Sequence, residues 1–198
     1  MSTGMLGVDY ARRGWMVGLL GTYSEGEGDF LEEGRLTHKE ADLTTMVPWV
    51  AMELEGGMRL RGAAGYGEGE VRLNHPGESV FEGSLDWRML NAGLAKDLTE
   101  LPKEGGFGLS FMTDFLWTRI RSDEVEGWGE IEGEARRIRA GFEGSLMQRK
   151  GENARFSQRV DAGIRHDSGD AEKGWGLDVG AGLVYEDREA GLELSLKG

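Results

Sequence analysis

Cysteine is absent from the 198-residue sequence, and proline occurs only three times. Without cysteine the chain can form neither disulfides nor thiolate metal sites. Basic residues are also in the minority: 23 Lys and Arg against 36 Asp and Glu give a formal net charge of −13, which disfavours nucleic acid as a partner. No apolar run of about 18 residues occurs, so the sequence predicts no transmembrane helix.

Glycine, in contrast, is abundant. The 34 glycines in 198 residues are more than twice the ordinary share, which is about 7%. They are spread along the chain without a fixed period, which excludes a collagen-like repeat. Glycine scattered among alternating apolar residues disfavours helices and is typical of turns and crowded strands.

Apolar residues alternate with polar residues or glycine along most of the chain, which indicates β-strands. In 106–121 the aromatic residues share one parity, and glycine and carboxylate residues share the other. The same alternation predicts about ten strands: 5–11, 14–26, 41–54, 58–73, 81–98, 107–122, 134–149, 154–167, 174–186 and 190–197.

The predicted connections alternate between short turns and long acidic loops. Residues 24–42 hold seven acids and two bases, and 122–134 hold six acids and no base. Short turns at one end and long polar loops at the other are typical of outer-membrane barrels. We therefore predict an all-β fold: one up-and-down antiparallel transmembrane β-barrel domain over residues 1–198, with about ten and up to twelve strands.

The aromatic parity is predicted to face lipid. Ten steps from Phe107 to Trp117 cover about 33 Å, and a tilt of about 40° reduces this to about 25 Å, the height of the apolar band of such barrels. Aromatic rings collect at the two membrane interfaces. The predicted lipid-facing and girdle residues are Trp15, Phe107, Phe111, Phe115, Trp117, Phe142, Trp175 and Tyr185.

The opposite parity is predicted to line the bore, where glycine makes room for long charged side chains from neighbouring strands. The predicted lumen-lining residues are Arg59, Arg61, Asp114, Arg137, Arg139, Glu143, Arg155, Arg159, Asp161, Arg165 and Asp178. Two interpretations stay open. The arginine rows could give a pore anion preference, or ion pairs could plug the bore, as side chains fill most small barrels.

Five segments carry a resemblance to a known family: "RRGWMVGLLGTYSEGEGDF", "LRGAAGYGEGEV", "GGFGLSFMTDFLWTRIRSD", "RRIRAGFEGSL" and "DAGIRHDSGDAEKGWGLDVGAGLVYED". They resemble the autotransporter-type outer-membrane β-barrel (translocator) domains of Gram-negative bacteria. The resemblance implies a bacterial outer-membrane location, a lipid bilayer as partner and a passenger segment in the parent protein. No signal segment opens the chain, so we interpret it as an excised domain, and we expect a monomer.

Catalytic and metal-binding patterns are weak. The three histidines, His38, His75 and His166, have no spacing that would place two at one site. His166 with Asp167 and Asp170 is the one grouping that could suit a hydrolase. Asp167, Asp170 and Glu172 are oxygen donors suited to Ca²⁺, without the spacing of a known calcium loop. We therefore expect no enzyme activity, no cofactor and no metal.

One alternative stays open from the sequence. A soluble up-and-down barrel could turn the apolar parity inward and bind an apolar ligand there. The two interpretations differ in where the aromatic parity points, and coordinates distinguish them.

Overall fold

The computed structural model describes residues 2–32, 35–74, 80–99, 105–123, 130, 132–150, 154–170, 172–187, 189 and 192–197. These residues form one ten-stranded sheet in which each strand is antiparallel to the next along the chain. The strands are β1 (Ser2–Arg12), β2 (Trp15–Glu32), β3 (Arg35–Leu54), β4 (Met58–Asn74), β5 (Phe81–Thr99), β6 (Gly106–Ser122), β7 (Glu132–Lys150), β8 (Ala154–Gly169), β9 (Gly174–Asp187) and β10 (Leu192–Lys197). No helix in the described ranges is long and apolar enough to cross a membrane.

The all-β, up-and-down antiparallel prediction is confirmed, and the strand boundaries agree within about three residues except at the end of β2 and the start of β3. Two short turns join strands where the sequence places glycine: Gly14 between β1 and β2, and Gly56 and Gly57 between β3 and β4. All three have φ between 72° and 75°. Only glycine adopts this left-handed conformation without strain, so these positions let the chain reverse within a few residues.

The prediction of a long loop over 24–42 is wrong. β2 and β3 continue through this acidic stretch and pair residue by residue as far as Glu32 opposite Arg35. Backbone hydrogen bonds hold an antiparallel pair together whether or not one face is apolar. The hairpin can therefore extend into a polar environment, with acidic side chains on its outer face and no apolar band.

Pro48 lies inside β3, a strand with neighbours on both sides. It has a partner on β2, Leu19, but the pairing with β4 passes from Met46 to Trp49 without positions 47 and 48. Proline lacks the N–H that a central strand donates, so the ladder is interrupted there. The register is the same on both sides of Pro48, so the side chains of β3 keep their faces across the interruption.

The sheet curls into an open half-barrel. None of the described pairings joins β1 to β10; β1 pairs only with β2 and β10 only with β9. β10 covers β9 from Asp187 to Gly182, which leaves the first half of β9 without a partner on that side. The described residues thus form a curved wall with two edges.

A conventional hydrophobic core is absent from the described part of the chain. Val71 and Met147 are its only buried hydrophobic residues. Large apolar side chains lie on the outer, convex face instead, where Trp175 is 76%, Leu177 81% and Val179 73% exposed. Alternation along each strand sends the charged residues and glycines to the other, concave face.

Candidate functional site

The concave face encloses a hollow of about 480 Å³, lined by residues from β1 to β8. Arg59 and Arg61 lie on one side of it, Glu143 and Arg159 on the other, and Met112 between them. Residues contributed by eight successive strands can meet around one hollow only because the sheet is curved. The candidate site is therefore the charged inner surface of the half-barrel.

Arg61 on β4 reaches Asp114 on β6 across the intervening strand. Its Nε donates to Asp114 Oδ1 at 3.1 Å, and its Nη2 contacts the same oxygen. Gly93 on β5 lies directly between them in register. A Cβ at Gly93 would fall 2.6 Å from Arg61 Nε and 2.6 Å from Asp114 Oδ1, so the glycine is what leaves room for this ion pair.

A second pair lies one row nearer the short turns. Arg59 Nη2 is 2.7 Å from Asp97 Oδ1, and the hydroxyl of Ser110 donates to the same carboxylate oxygen at 2.7 Å. Arg59, Asp97 and Ser110 thus link β4, β5 and β6. Asp97 is not among the sequence-predicted lumen residues, because the alternation in 84–98 is irregular and shows no clear parity.

Arg139 on β7 is held by two carboxylates from the following strands. Its Nη2 contacts Asp161 on β8, and its Nε lies 3.0 Å from Asp178 Oδ2 on β9. All three side chains are between 20% and 29% exposed, the least solvated ion-pair cluster of the concave face. Gly180 lies beneath Asp161, where a Cβ would be 2.6 Å from Oδ1.

A four-residue network occupies the end of the concave face near the β8–β9 connection. Asp167 accepts from Arg137 Nε at 2.5 Å and lies 3.1 Å from Arg165 Nε. Glu172 lies 3.5 Å from Arg137 and 3.4 Å from Arg165. Two arginines and two carboxylates balance each other in charge.

The remaining pairs lie towards the short-turn end: Arg159 with Glu143 at 3.3 Å, and Arg155 with Glu186 at 3.8 Å. The structure therefore places all eleven sequence-predicted lumen residues on the concave face, and each has an ion-pair partner among the described residues. Chemically, the surface is a neutralised lattice rather than a row of unopposed cations.

Apolar side chains also lie on the concave face, including two tryptophans that the sequence pattern did not predict there. Trp49 lies over Gly18, where a Cβ would be 2.5 Å from the indole, and Trp87 lies over Gly65 in the same way. Further along β4, Val71 is only 1% exposed. The cross-strand glycines were the available signal, since each leaves room for one ring.

The eight residues predicted to face lipid all lie on the convex face. Phe107 is 58%, Phe142 52% and Trp175 76% exposed. Phe111 and Phe142 are cross-strand neighbours whose rings meet edge-on at 5.5 Å. Because these rings contact each other on the outside of the curve, they do not fill an enclosed centre. The others on this face are Trp15, Phe115, Trp117 and Tyr185.

The histidine grouping that suited a hydrolase is not assembled. His166 lies on the convex face with its ring 4.9 Å from that of Trp175, whereas Asp167 points to the concave face and binds two arginines. Asp170 accepts instead from the backbone N–H of Glu134. No group of three metal-ligating side chains occurs among the described residues. His75 lies outside the described residues.

Charged residues continue above the apolar band on the convex face, where β2 and β3 extend beyond it. His38 Nδ1 lies 2.7 Å from Asp29 Oδ1. The hydrogen bond to Asp29 and, to a lesser extent, contacts with Glu40 raise the pKa of His38 above its usual 6.5. On β4, the hydroxyl of Tyr66 donates a hydrogen bond to Glu68 Oε1 at 2.5 Å. This end of the sheet is strongly polar.

No family model and no curated protein matches the chain. Among solved structures, the chain is similar to that of the alcaligin outer membrane receptor FauA from Bordetella pertussis, at 13% identity and a TM-score of 0.37. The match covers 93% of this chain and 32% of that one, so the chain spans about a third of the length of that receptor. A likeness at this TM-score says nothing about the function of the chain.

Proposed function

We propose that the chain forms the wall of an outer-membrane β-barrel of the autotransporter type, a non-enzymatic membrane anchor with a narrow, ion-paired bore. One observation carries this proposal: the sheet is inverted relative to a soluble barrel. Trp175, Leu177 and Val179 lie on the outside of the curve, and the charged network lies inside.

The inversion has a large energetic consequence. Removing apolar surface from water stabilises a protein by roughly 25 cal/mol per Å². In water the convex band would stay hydrated, and soluble monomers rarely expose apolar patches larger than a few hundred Å². Hydrocarbon covers such a band, and antiparallel pairing on both sides satisfies the backbone groups of β2 to β8, which a bilayer cannot solvate.

The finer assignment to the autotransporter type is supported by the sequence resemblance. In that family the barrel anchors a passenger segment in the outer membrane and is associated with its passage to the cell surface. The neutralised concave face suits an anchor better than an open anion channel, because every predicted lumen arginine already contacts a carboxylate.

A soluble carrier is the second candidate, and the apolar side chains on the concave face favour it. Trp49, Trp87 and Val71 could contact an apolar ligand held within the curve. In that case something other than lipid would have to cover the apolar side chains of the convex face. The two candidates therefore make opposite predictions for the two faces of one strand.

Trp49 and Val50 provide a matched pair for the test, since adjacent residues of β3 point to opposite faces. In a background with the other five tryptophans replaced by phenylalanine, one variant keeps Trp49, and a second carries Trp49→Phe with Val50→Trp. After refolding into vesicles containing brominated lipid, we expect strong quenching of the second variant and weak quenching of the first. A chain that folds as a monomer in plain buffer, with tryptophan at 50 shielded, would contradict the membrane proposal.

A further inference from the structure

Arginines are concentrated on the convex face just beyond the aromatic border, on the side of the sheet formed by β5 to β7. Arg88, Arg119 and Arg121 line a cleft of about 100 Å³ together with Trp117 and Asp86. We call these five residues the basic cleft. In a chain of net charge −13, three guanidinium groups around one small cleft need an explanation.

Two of these arginines have unused binding capacity. None of the ion pairs among the described residues involves Arg88. Arg119 contacts Glu132 through Nη2 at 2.8 Å, but its buried Nε has no hydrogen-bond partner among the described residues. Arg121 is occupied by Glu130, to which its Nη2 donates at 2.9 Å. A buried donor without a partner is costly, so an acceptor in the cleft would stabilise Arg119.

The cleft lies at a defined depth. Arg119 follows Trp117 on the same face of β6, and Arg88 is its direct cross-strand partner. A two-residue step is about 6.6 Å along the strand, or about 5 Å along the membrane normal at a tilt of about 40°. The polar headgroup layer begins at the aromatic girdle and is about 5–8 Å thick. Arg88 and Arg119 therefore fall within the headgroup layer when Trp117 marks its inner border.

We propose that the basic cleft binds the phosphate of an anionic phospholipid headgroup. Guanidinium groups match phosphate oxygens in geometry and form charge-assisted hydrogen bonds with them. Below the cleft, Leu90 is 48% exposed beside Trp117, which provides an apolar surface for the attached acyl chain. A free phosphate ion would gain nothing from that surface. This inference rests on the proposed membrane location.

Arg88→Gln is the informative variant, because it removes no ion pair between described residues. Arg72→Gln is its matched control: it removes the same charge from the convex face of β4, where Arg72 is held by Glu70 and Glu82. Each protein is folded in neutral detergent micelles and titrated with short-chain phosphatidylglycerol, with bound lipids counted by native mass spectrometry. We expect Arg88→Gln to weaken the apparent affinity about tenfold, and Arg72→Gln to leave it unchanged.

Further measurements show whether a result supports or overturns phospholipid binding at the basic cleft. If Arg88→Gln fails to fold by circular dichroism, Arg119→Gln replaces it with the same expectation. Equal losses in the variant and the control, or none in either, overturn the inference. Inorganic phosphate that binds wild type as well as phosphatidylglycerol does would show that the cleft takes a free anion, which also overturns it. Failure of the brominated-lipid test at position 50 would overturn both proposals, whereas insertion without lipid retention overturns this one alone.

Discussion

Arg61 and Asp114 form an ion pair between strands that are not neighbours, and the missing side chain of Gly93 makes this geometry available. Neighbouring strands lie about 4.8 Å apart, so the pair bridges about 10 Å across the sheet. A Cβ at Gly93 would occupy the space that the Arg61 side chain crosses, so the glycine keeps this path open. Glycine on the concave face is therefore part of the charge network.

Gly93→Ala tests this relationship. The new Cβ would meet Arg61 Nε and Asp114 Oδ1 at 2.6 Å and displace the pair. Because Arg61 is well solvated, we expect a loss of only about 1 kcal/mol in the free energy of unfolding, measured by urea titration in lipid vesicles. In an Arg61→Gln background the same substitution should be neutral. Gly28→Ala is the control, because no atom lies within 4 Å of the Cβ that it adds. An equal loss of stability in this variant would show that displacement of the Arg61–Asp114 pair is not the cause.

Replacement of Arg139 tests how much its ion pairs with Asp161 and Asp178 stabilise the fold. Arg139→Gln leaves Asp161 and Asp178 facing each other without their shared cation. We expect a loss of about 1–3 kcal/mol in the free energy of unfolding, from the same urea titration. A triple variant that adds Asp161→Asn and Asp178→Asn should recover most of the loss, since no unpaired charge remains. A triple variant less stable than the single one would exclude charge as the cause.

The strand pattern could be predicted from the sequence because each strand has one apolar and one polar face. β6 was predicted at 107–122 and is observed at Gly106–Ser122. Alternation reports which face a side chain occupies, and this was sufficient to place Arg139 and Phe142 on opposite faces. It failed at 24–42, where both faces are polar and only backbone pairing maintains the strands.

The ion-pair partners could not be predicted from the sequence. Which residue faces Arg61 depends on the register of three strands, and the alternation fixes parity without fixing register. Asp167 was missed as the partner of Arg137 for this reason. The basic cleft was missed because Arg88 and Arg119 lie on the apolar parity, beyond the point where the apolar run ends. The change from apolar residues to arginine on the convex face becomes apparent only when the register between neighbouring strands is known.

His38 is expected to titrate above its usual value of 6.5, because its hydrogen bond to Asp29 favours the protonated ring. Since the folded-state pKa is raised, this group stabilises the fold fully below pH 6.5, and the contribution is lost as the pH rises through the folded-state pKa. The measurement is an NMR titration of the His38 ring. Asp29→Asn should lower the pKa of His38 more than Glu40→Gln does. The opposite order would show that Glu40, and not Asp29, is the main cause of the raised pKa.

Electrical measurements test whether the concave ion pairs close the bore. Each lumen arginine is already neutralised, so we expect wild-type protein in a planar bilayer to show no steady current. Arg139→Glu combined with Arg159→Glu places new carboxylates beside Asp161, Asp178 and Glu143. Repulsion there should open a path that prefers cations, because a ring of carboxylates attracts them.

The control for that measurement is a pair of convex-face substitutions, Arg72→Glu and Arg136→Glu, which make the same change in net charge outside the bore. Arg72 and Arg136 contact Glu70 and Glu134 on the outer face, so we expect no steady current across the bilayer when they are replaced. A steady anion-selective current from wild-type protein would show that the arginine rows conduct, since such a current requires an open path lined by cations that are not fully neutralised. It would make the chain a pore and rule out the plugged anchor.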